Sequence, residues 1–181
     1  MSESLVNLFR DELARRPGPL RVLELGTLRW GAESTHHAHW LPLDTEHVKS
    51  DMSLGVDVDV AADAHDLAPF DDASFDAVVA CSVWEHLERP WIAAEAVARV
   101  LRPGGLAYIA THQSFPVHGY PSDYFRFSTE AMAVLFDEPL FDWSHADYSH
   151  AATLVPPPEI TVWDPTAPVW LNVAILARRA S

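Results

Sequence analysis

The stretch AADAHDLAPFDDASFDAVVACSVWEHLERPWIAAEAVARVLRPGGLAYIATH, residues 61–112, fixes the architecture of this chain. Within it FDAVVAC (75–81) is a nearly continuous apolar run, of the kind a parallel sheet buries on both faces. Pro90 stands where a helix tolerates proline best, at its first position. Ile92, Ala96, Val97, Val100 and Leu101 recur at helical spacing, and Pro103-Gly104-Gly105 is expected to end that helix. LAYIATH (106–112) reads as the next strand, so the stretch holds a strand–helix–strand unit.

The same alternation extends in both directions. Upstream, RVLEL (21–25), EHVKSD (46–51) and VDVDVAA (56–62) read as three strands. Before them, Leu5, Leu8, Phe9 and Leu13 mark a helix over 4–16, stopped by Pro17-Gly18-Pro19. Downstream, Ser128 caps a further helix, and strands are expected near 141–148 and 169–178, joined by the proline-rich PPPEITVWDPTAP (156–168). Seven strands in this order predict an α/β fold: a doubly wound, mostly parallel sheet with an antiparallel C-terminal edge hairpin. Residues 1–181 are expected to form one domain, with 1–18 as an N-terminal helix cap.

Composition narrows the function. Twelve Lys and Arg stand against 26 Asp and Glu, for a formal charge of −14. Nucleic-acid and anionic-membrane binders gain affinity from basic clusters, which this chain lacks, so neither partner is expected. No apolar run approaches the roughly 18–20 residues that cross a bilayer. The amphipathic start, MSESLVNLFRDELARR, lacks the basic and apolar regions of a secretory leader, and one cysteine, Cys81, agrees with a reducing compartment. The expected location is cytoplasmic.

In an open α/β sheet the ligand lies outside the carboxyl ends of the strands. Polar residues gather there: Glu24 and Gly26 after the first strand, Asp51 after the second, Asp63-Ala64-His65 after the third. Ser82 to His86 follow the fourth strand and His112-Gln113 the fifth. With its Asp-Ala pair, FD-S-FD-V, EHL and RVLRPGG, the chain from about Arg21 to Phe136 resembles the class I S-adenosylmethionine-dependent methyltransferases. Within these it is most similar to the small-molecule type of ubiquinone and menaquinone biosynthesis.

That resemblance implies a Rossmann-like fold, S-adenosylmethionine as cofactor and a small-molecule acceptor. It implies that Gly26 and Thr27 form the turn against the methionine part of the cofactor, with Glu24 shaping that turn and meeting its ammonium. Asp51, with Met52 beside it, would accept from the ribose hydroxyls. Asp63, Ala64 and His65 would meet the adenine, and Ser82 the methionine chain. The turn itself, ELGTLRWG (24–31), departs from the pattern, with Leu28 and Trp30 where glycines are usual and Gly31 one place late. Trp30 is either a wall of the pocket or an aromatic packed on the next helix.

The segment HQSFPVHGYPSDYFRFS (112–128) is too long for a simple turn, and loops of this length are often functional. Similar segments occur in relatives of glycan and natural-product pathways, which implies a place over the acceptor. His112 and His118 are the candidate catalytic bases, since neutral imidazole takes a hydroxyl proton near neutral pH. Trp30, His37, Gln113, Tyr120 and Tyr124 are candidates for substrate binding, and Arg126 is expected to pair with Asp123 and fix the loop. His86, in the EHL motif at an expected helix start, is assigned to packing or capping. His36, His37 and His39 do not face one another on a helix, and no zinc-type second motif appears, so no metal site is expected.

The leading reading is methyl transfer to a small acceptor, through oxygen. A methyltransferase-like binding or regulatory protein without turnover is the alternative. A dehydrogenase is disfavoured by the second and third strand ends and by the RVLRPGG helix. The short N-terminal cap leaves the acceptor site open, built by the 112–128 loop, or completed by a second subunit in a homodimer.

Overall fold

Neighbouring apolar residues in a strand must point to opposite faces, so a run such as Ala77-Val78-Val79 calls for cover on both sides. In the computed structural model, which describes residues 1–29, 31, 36–119, 121–159, 164 and 166–181, that cover is present. The elements in chain order are α1 (Glu3–Ala14), β1 (Arg21–Leu25), β2 (Glu46–Asp51), β3 (Val60–Ala61), β4 (Phe75–Cys81) and α2 (Pro90–Val100). They continue with β5 (Leu101–His112), α3 (Thr129–Leu135), β6 (Phe141–Thr153) and β7 (Pro168–Arg179). Short 3₁₀ turns stand at Ala38–Trp40 and Trp84–His86. The strands form one seven-stranded sheet in the order β3-β2-β1-β4-β5-β7-β6. β1 to β5 pair in parallel, and β7 runs antiparallel between β5 and β6.

Leu23, Val78, Ala107, Ile109 and Ile175 pack one face against α2 and α3, through Val97, Met132 and Phe136. Val22, Ala77, Val79, Tyr108 and Leu176 pack the other face against Leu5, Phe9 and Leu13 of α1. These three α1 residues are fully buried, and Phe9 sits with its ring centroid 5.5 Å from that of Tyr108. Removing one such side chain costs about 2–5 kcal/mol, so α1 is bound firmly to the sheet.

Several element boundaries differ from expectation, and three of the differences have a local cause. The valine–aspartate segment 56–62 forms only the two-residue β3. Its aspartates leave the sheet: Asp57 turns at φ +64 and pairs with Arg29, and an Asp59 carboxylate oxygen accepts from Lys49 N–H. The second helix ends at Val100, before Pro103, because Leu101 already pairs with Phe75 in the sheet. The pairing then jumps from Phe75–Leu101 to Ala77–Leu106, a bulge that absorbs the Pro-Gly-Gly run. Finally, the EHL motif makes a 3₁₀ turn of its own, ahead of the helix that opens at Pro90 as expected.

The carboxyl ends of β1 to β5 share one edge, and the antiparallel β7 brings Asn172 beside His112 there. Two shallow hollows among the described residues, one around Leu20 and Thr45 and one around Ala98 and Arg179, lie toward the opposite edge. No helix among the described residues is long and apolar enough to cross a membrane.

Candidate functional site

The turn after β1 is built around Gly26, at φ +78. A methyl group added there would lie 2.4 Å from Val83 Cγ2, so the position excludes any side chain twice over. Gly26 N–H and Thr27 N–H both donate to Ser50 O, at 2.8 and 3.2 Å. The buried Thr27 hydroxyl donates to Asp57 O at 2.7 Å. The bulky residues of this turn clasp the segment after β2. Leu28 packs on Gly55, where a Cβ would come within 2.3 Å of its Cδ1. Arg29 N–H donates to Val56 O, and its guanidinium meets Asp57 at 3.1 Å. Trp30 lies outside the described residues.

Glu24 is 3% exposed, yet both carboxylate oxygens are engaged. His37 Nδ1–H donates to Oε1 at 2.6 Å, His37 N–H to both oxygens at 3.0 Å, and His47 Nε2–H to Oε2 at 2.8 Å. Burial alone would raise the Glu24 pKa; the bonds from His37 and His47 outweigh it and hold the group at about 2. Glu24 is thus a charged, fully bonded anchor for residues 36–47. His37, expected at the acceptor, points its ring nitrogen into this cluster and lies tilted against Trp40, with ring centroids 4.2 Å apart.

At the end of β2, Asp51 Oδ2 accepts from Leu28 N–H at 3.1 Å, while Oδ1 takes no hydrogen bond among the described residues. Met52 is exposed. Asp63, half-exposed at the end of β3, accepts from His65 N–H at 2.9 Å and His65 Nδ1–H at 2.7 Å. Burial pushes the Asp63 pKa up, but those bonds outweigh it and hold the group below the usual carboxylate range. Ala64 is buried beneath this turn. Ser82, exposed at the end of β4, adopts φ +56, a left-handed conformation that costs a non-glycine residue about 1 kcal/mol or more. It ties to β5 through its N–H on Ala110 O at 2.9 Å.

A second constellation joins the ends of β4 and β5. Glu85 is fully buried, and Thr111 donates its hydroxyl to Oε2 at 2.6 Å. Oε1 has His112 Nε2 at 3.1 Å, His86 Nε2 at 3.8 Å and His118 Nε2 at 3.9 Å, yet no donor hydrogen points at it among the described residues. Burial raises the Glu85 pKa, but His112 and Thr111 outweigh that and keep the group below its usual value. It is therefore an anion enclosed by imidazoles.

Residues 112–119 and 121–128 pack about Glu85. Tyr124 N–H and Phe125 N–H donate to Glu85 O, and Phe127 N–H donates to His112 O. The Phe115 ring stacks on His112 at 4.1 Å. Arg126 pairs with both oxygens of Asp123 and donates to the carbonyls of Phe115, Pro116 and Phe125, so it fixes the loop as expected. With Arg126 first and His118 N–H second, Asp123 is held far below the usual carboxylate range. Gln113 turns its side-chain oxygen to Ser114 and to Trp170 N–H. Tyr124 is half-exposed at the rim, and Tyr120 lies outside the described residues. Sequence reasoning brings His112 and His118 forward but misses Glu85 as their common partner. The visible signal is a charged residue inside a motif otherwise filled by Trp84 and Leu87, both buried.

Residues 34–109 match the model of a methyltransferase domain. No curated protein sequence matches the chain. Among solved structures, a putative methyltransferase from Bacillus halodurans is 17% identical, with a TM-score of 0.63 over 96% of this chain and 98% of the other. An S-adenosylmethionine-dependent methyltransferase from Archaeoglobus fulgidus is 14% identical, with a TM-score of 0.62 over 97% and 93%. The 1,6-didemethyltoxoflavin-N1-methyltransferase of Burkholderia thailandensis, solved with 1,6-didemethyltoxoflavin and S-adenosylhomocysteine, is 17% identical, with a TM-score of 0.65 over 99% and 78%. These likenesses establish the class I methyltransferase fold. Together with the domain match they support an S-adenosylmethionine-dependent methyltransferase that uses S-adenosylmethionine as its cofactor. The donor set fits a nucleoside cofactor: Asp51 has a carboxylate oxygen that takes no hydrogen bond among the described residues, and Ser82 is exposed and strained at the end of β4, two strands along the sheet.

Proposed function

We propose, for a chain with the class I methyltransferase fold, that residues 1–181 form one methyltransferase domain acting on a hydroxyl of a small molecule. The observation that carries this reading is the imidazole pair His112 and His118 around the buried carboxylate of Glu85. A hydroxyl must lose a proton as it is methylated, and an imidazole backed by a carboxylate is a fitting acceptor for it. The bound cofactor supplies an electrophilic methyl group on its sulfonium.

The chain's own residues align and deprotonate. Asp51 binds the ribose hydroxyls, with Met52 over the sugar, and Asp63, Ala64 and His65 form the adenine side. Gly26, Thr27 and Ser82 line the methionine side, where Glu24 acts through the turn it anchors. Acceptor contacts are assigned to Trp30, His37, Gln113, Tyr120 and Tyr124, of which Trp30 and Tyr120 lie outside the described residues. His118 is the better placed of the two bases, with its side chain 24% exposed against 9% for His112. Its Nδ1–H donates to Pro116 O at 3.0 Å, which leaves Nε2 as the proton acceptor. Once protonated, the ring is stabilised by Glu85 and by Asp123, 3.4 Å from Nδ1. His112 is then a positioning residue. The single cysteine fits a cytoplasmic setting.

The test is transfer of a labelled methyl group from S-adenosylmethionine to a panel of hydroxylated, aminated and carbon-nucleophile small molecules. Methylation of hydroxyls, lost in His118→Ala with affinity for S-adenosylhomocysteine retained, is the expected result. Transfer confined to nitrogen or carbon acceptors contradicts the hydroxyl assignment. One observation favours a second reading, binding without turnover: Glu24 already has both oxygens on imidazoles. Tight cofactor binding with no acceptor methylated would support it.

A further inference from the structure

We propose that Glu85, His112 and His118 bind a divalent first-row transition cation at the carboxyl ends of β4 and β5. The three residues offer ligand atoms that all lie within 4.8 Å of one another. Zinc-type bonds of about 2.0–2.2 Å set neighbouring tetrahedral ligands roughly 3.3–3.6 Å apart. His112 Nε2 and His118 Nε2 stand 3.1 and 3.9 Å from Glu85 Oε1, which brackets that separation. Only small side-chain adjustments separate this geometry from a closed site.

The hydrogen-bond inventory points the same way. Glu85 Oε1 is a fully buried acceptor without a donor among the described residues, a costly arrangement unless a cation meets it. His118 gives its Nδ1 hydrogen to Pro116 O, so in its neutral form Nε2 turns a lone pair toward Glu85. His86 does likewise, with Nδ1 2.6 Å from Ser122 O and Nε2 facing Glu85 from the rim. These two lone pairs face the Glu85 carboxylate. Half a turn of the Asn172 amide, 3.1 Å from His112 Nδ1, would free the Nε2 lone pair of His112 as well.

The supporting contacts are those metal ligands need. Thr111 orients Glu85 through Oε2, Pro116 O orients His118, and Asn172 orients His112. Two imidazoles and one carboxylate leave positions open for an exogenous oxygen, and His118 faces solvent. Two nitrogen ligands among three favour zinc, iron(II) or cobalt(II) over magnesium or calcium, which take oxygen sets.

Metal binding does not depend on the methyl-transfer reading; its role does. A hydroxyl bound to the cation would be acidified there and release its proton to water, with His112 and His118 as ligands in place of bases.

The experiment uses the full chain, dialysed against a chelator and titrated with zinc(II) and cobalt(II), read by calorimetry and by cobalt visible absorption. One equivalent per chain is expected, with cobalt bands of a nitrogen–oxygen site. His118→Ala and Glu85→Gln should each weaken binding by about 10–100-fold or more. Circular dichroism checks that each variant is folded, and His118→Ala, on an exposed loop, carries the test if Glu85→Gln does not fold. The surface variant His145→Ala should bind as the parent does. Absence of binding, or binding undiminished in His118→Ala, overturns the site. Methylation that persists in chelator without bound metal also overturns the metal's role and leaves the imidazole base in place.

Discussion

Replacing Gly26 by alanine tests how the turn after β1 is built, and the structure separates the cost into two parts. A left-handed φ of +78 costs an alanine about 1–2 kcal/mol. The new methyl would also sit 2.4 Å from Val83 Cγ2, an overpacking of the kind that costs roughly 1–3 kcal/mol. Together Gly26→Ala should destabilise the chain by about 2–5 kcal/mol. Val83→Ala removes the offending methyl and leaves the valine Cβ position, 3.8 Å away, at ordinary contact distance. In that background the cost of Gly26→Ala should fall to the conformational part, about 1–2 kcal/mol. The coupling between the two sites is then about 1–3 kcal/mol. Urea unfolding of the parent, both single variants and the double variant measures it, provided the slopes agree. Equal costs of Gly26→Ala in both backgrounds would refute the packing of Val83 against this turn.

Glu24→Gln should lower stability at pH 5 by about 3 kcal/mol, from a carboxylate held at about 2 against an ordinary value of 4.5. A depressed carboxylate stabilises above its unfolded pKa and loses that contribution as pH falls toward the folded one. The gap between parent and variant in urea unfolding should therefore narrow by about 1 kcal/mol between pH 5 and 3.5, and a constant gap contradicts the assignment. Arg126→Ala, which strips the ties to Asp123 and to the carbonyls of Phe115 and Pro116, should reduce turnover strongly while affinity for S-adenosylhomocysteine stays nearly unchanged. Equal losses in both would mean the loop also forms the cofactor side. Tyr108→Phe deletes a buried hydroxyl that has no partner among the described residues, so thermal and urea stability should hold or rise by up to about 1 kcal/mol. A clear loss would show that the hydroxyl is bonded.

Where burial decided the structure, the sequence was legible to the residue. RVLEL, EHVKSD and FDAVVAC became β1, β2 and β4 with unchanged bounds; RVLEL and FDAVVAC are the apolar runs a buried parallel strand needs, whereas EHVKSD buries only Ser50. Where a polar side chain had a distant partner, legibility failed. Asp57 and Asp59 looked like the outward half of a strand, but Arg29 and the Lys49 amide draw them out of the sheet. The Glu24 cluster was readable only through register. β1 pairs Val22 with His47, so His47 shares a face with Glu24 two residues on. The Glu85 cluster needs three separate segments to meet, the turn at 84–86, the end of β5 and the 112–128 loop. Local spacing carries no trace of that meeting.

The proposed methyl transfer rests on a nucleoside cofactor held across the carboxyl ends of β1, β2 and β4, and calorimetric titration with S-adenosylhomocysteine puts that to the sharpest test. One site per chain is expected in the parent. Asp51→Ala should weaken it by at least about tenfold, the loss of hydrogen bonds to a charged acceptor. The folded parent failing to bind at millimolar ligand, or Asp51→Ala binding as tightly as the parent, would contradict the placement.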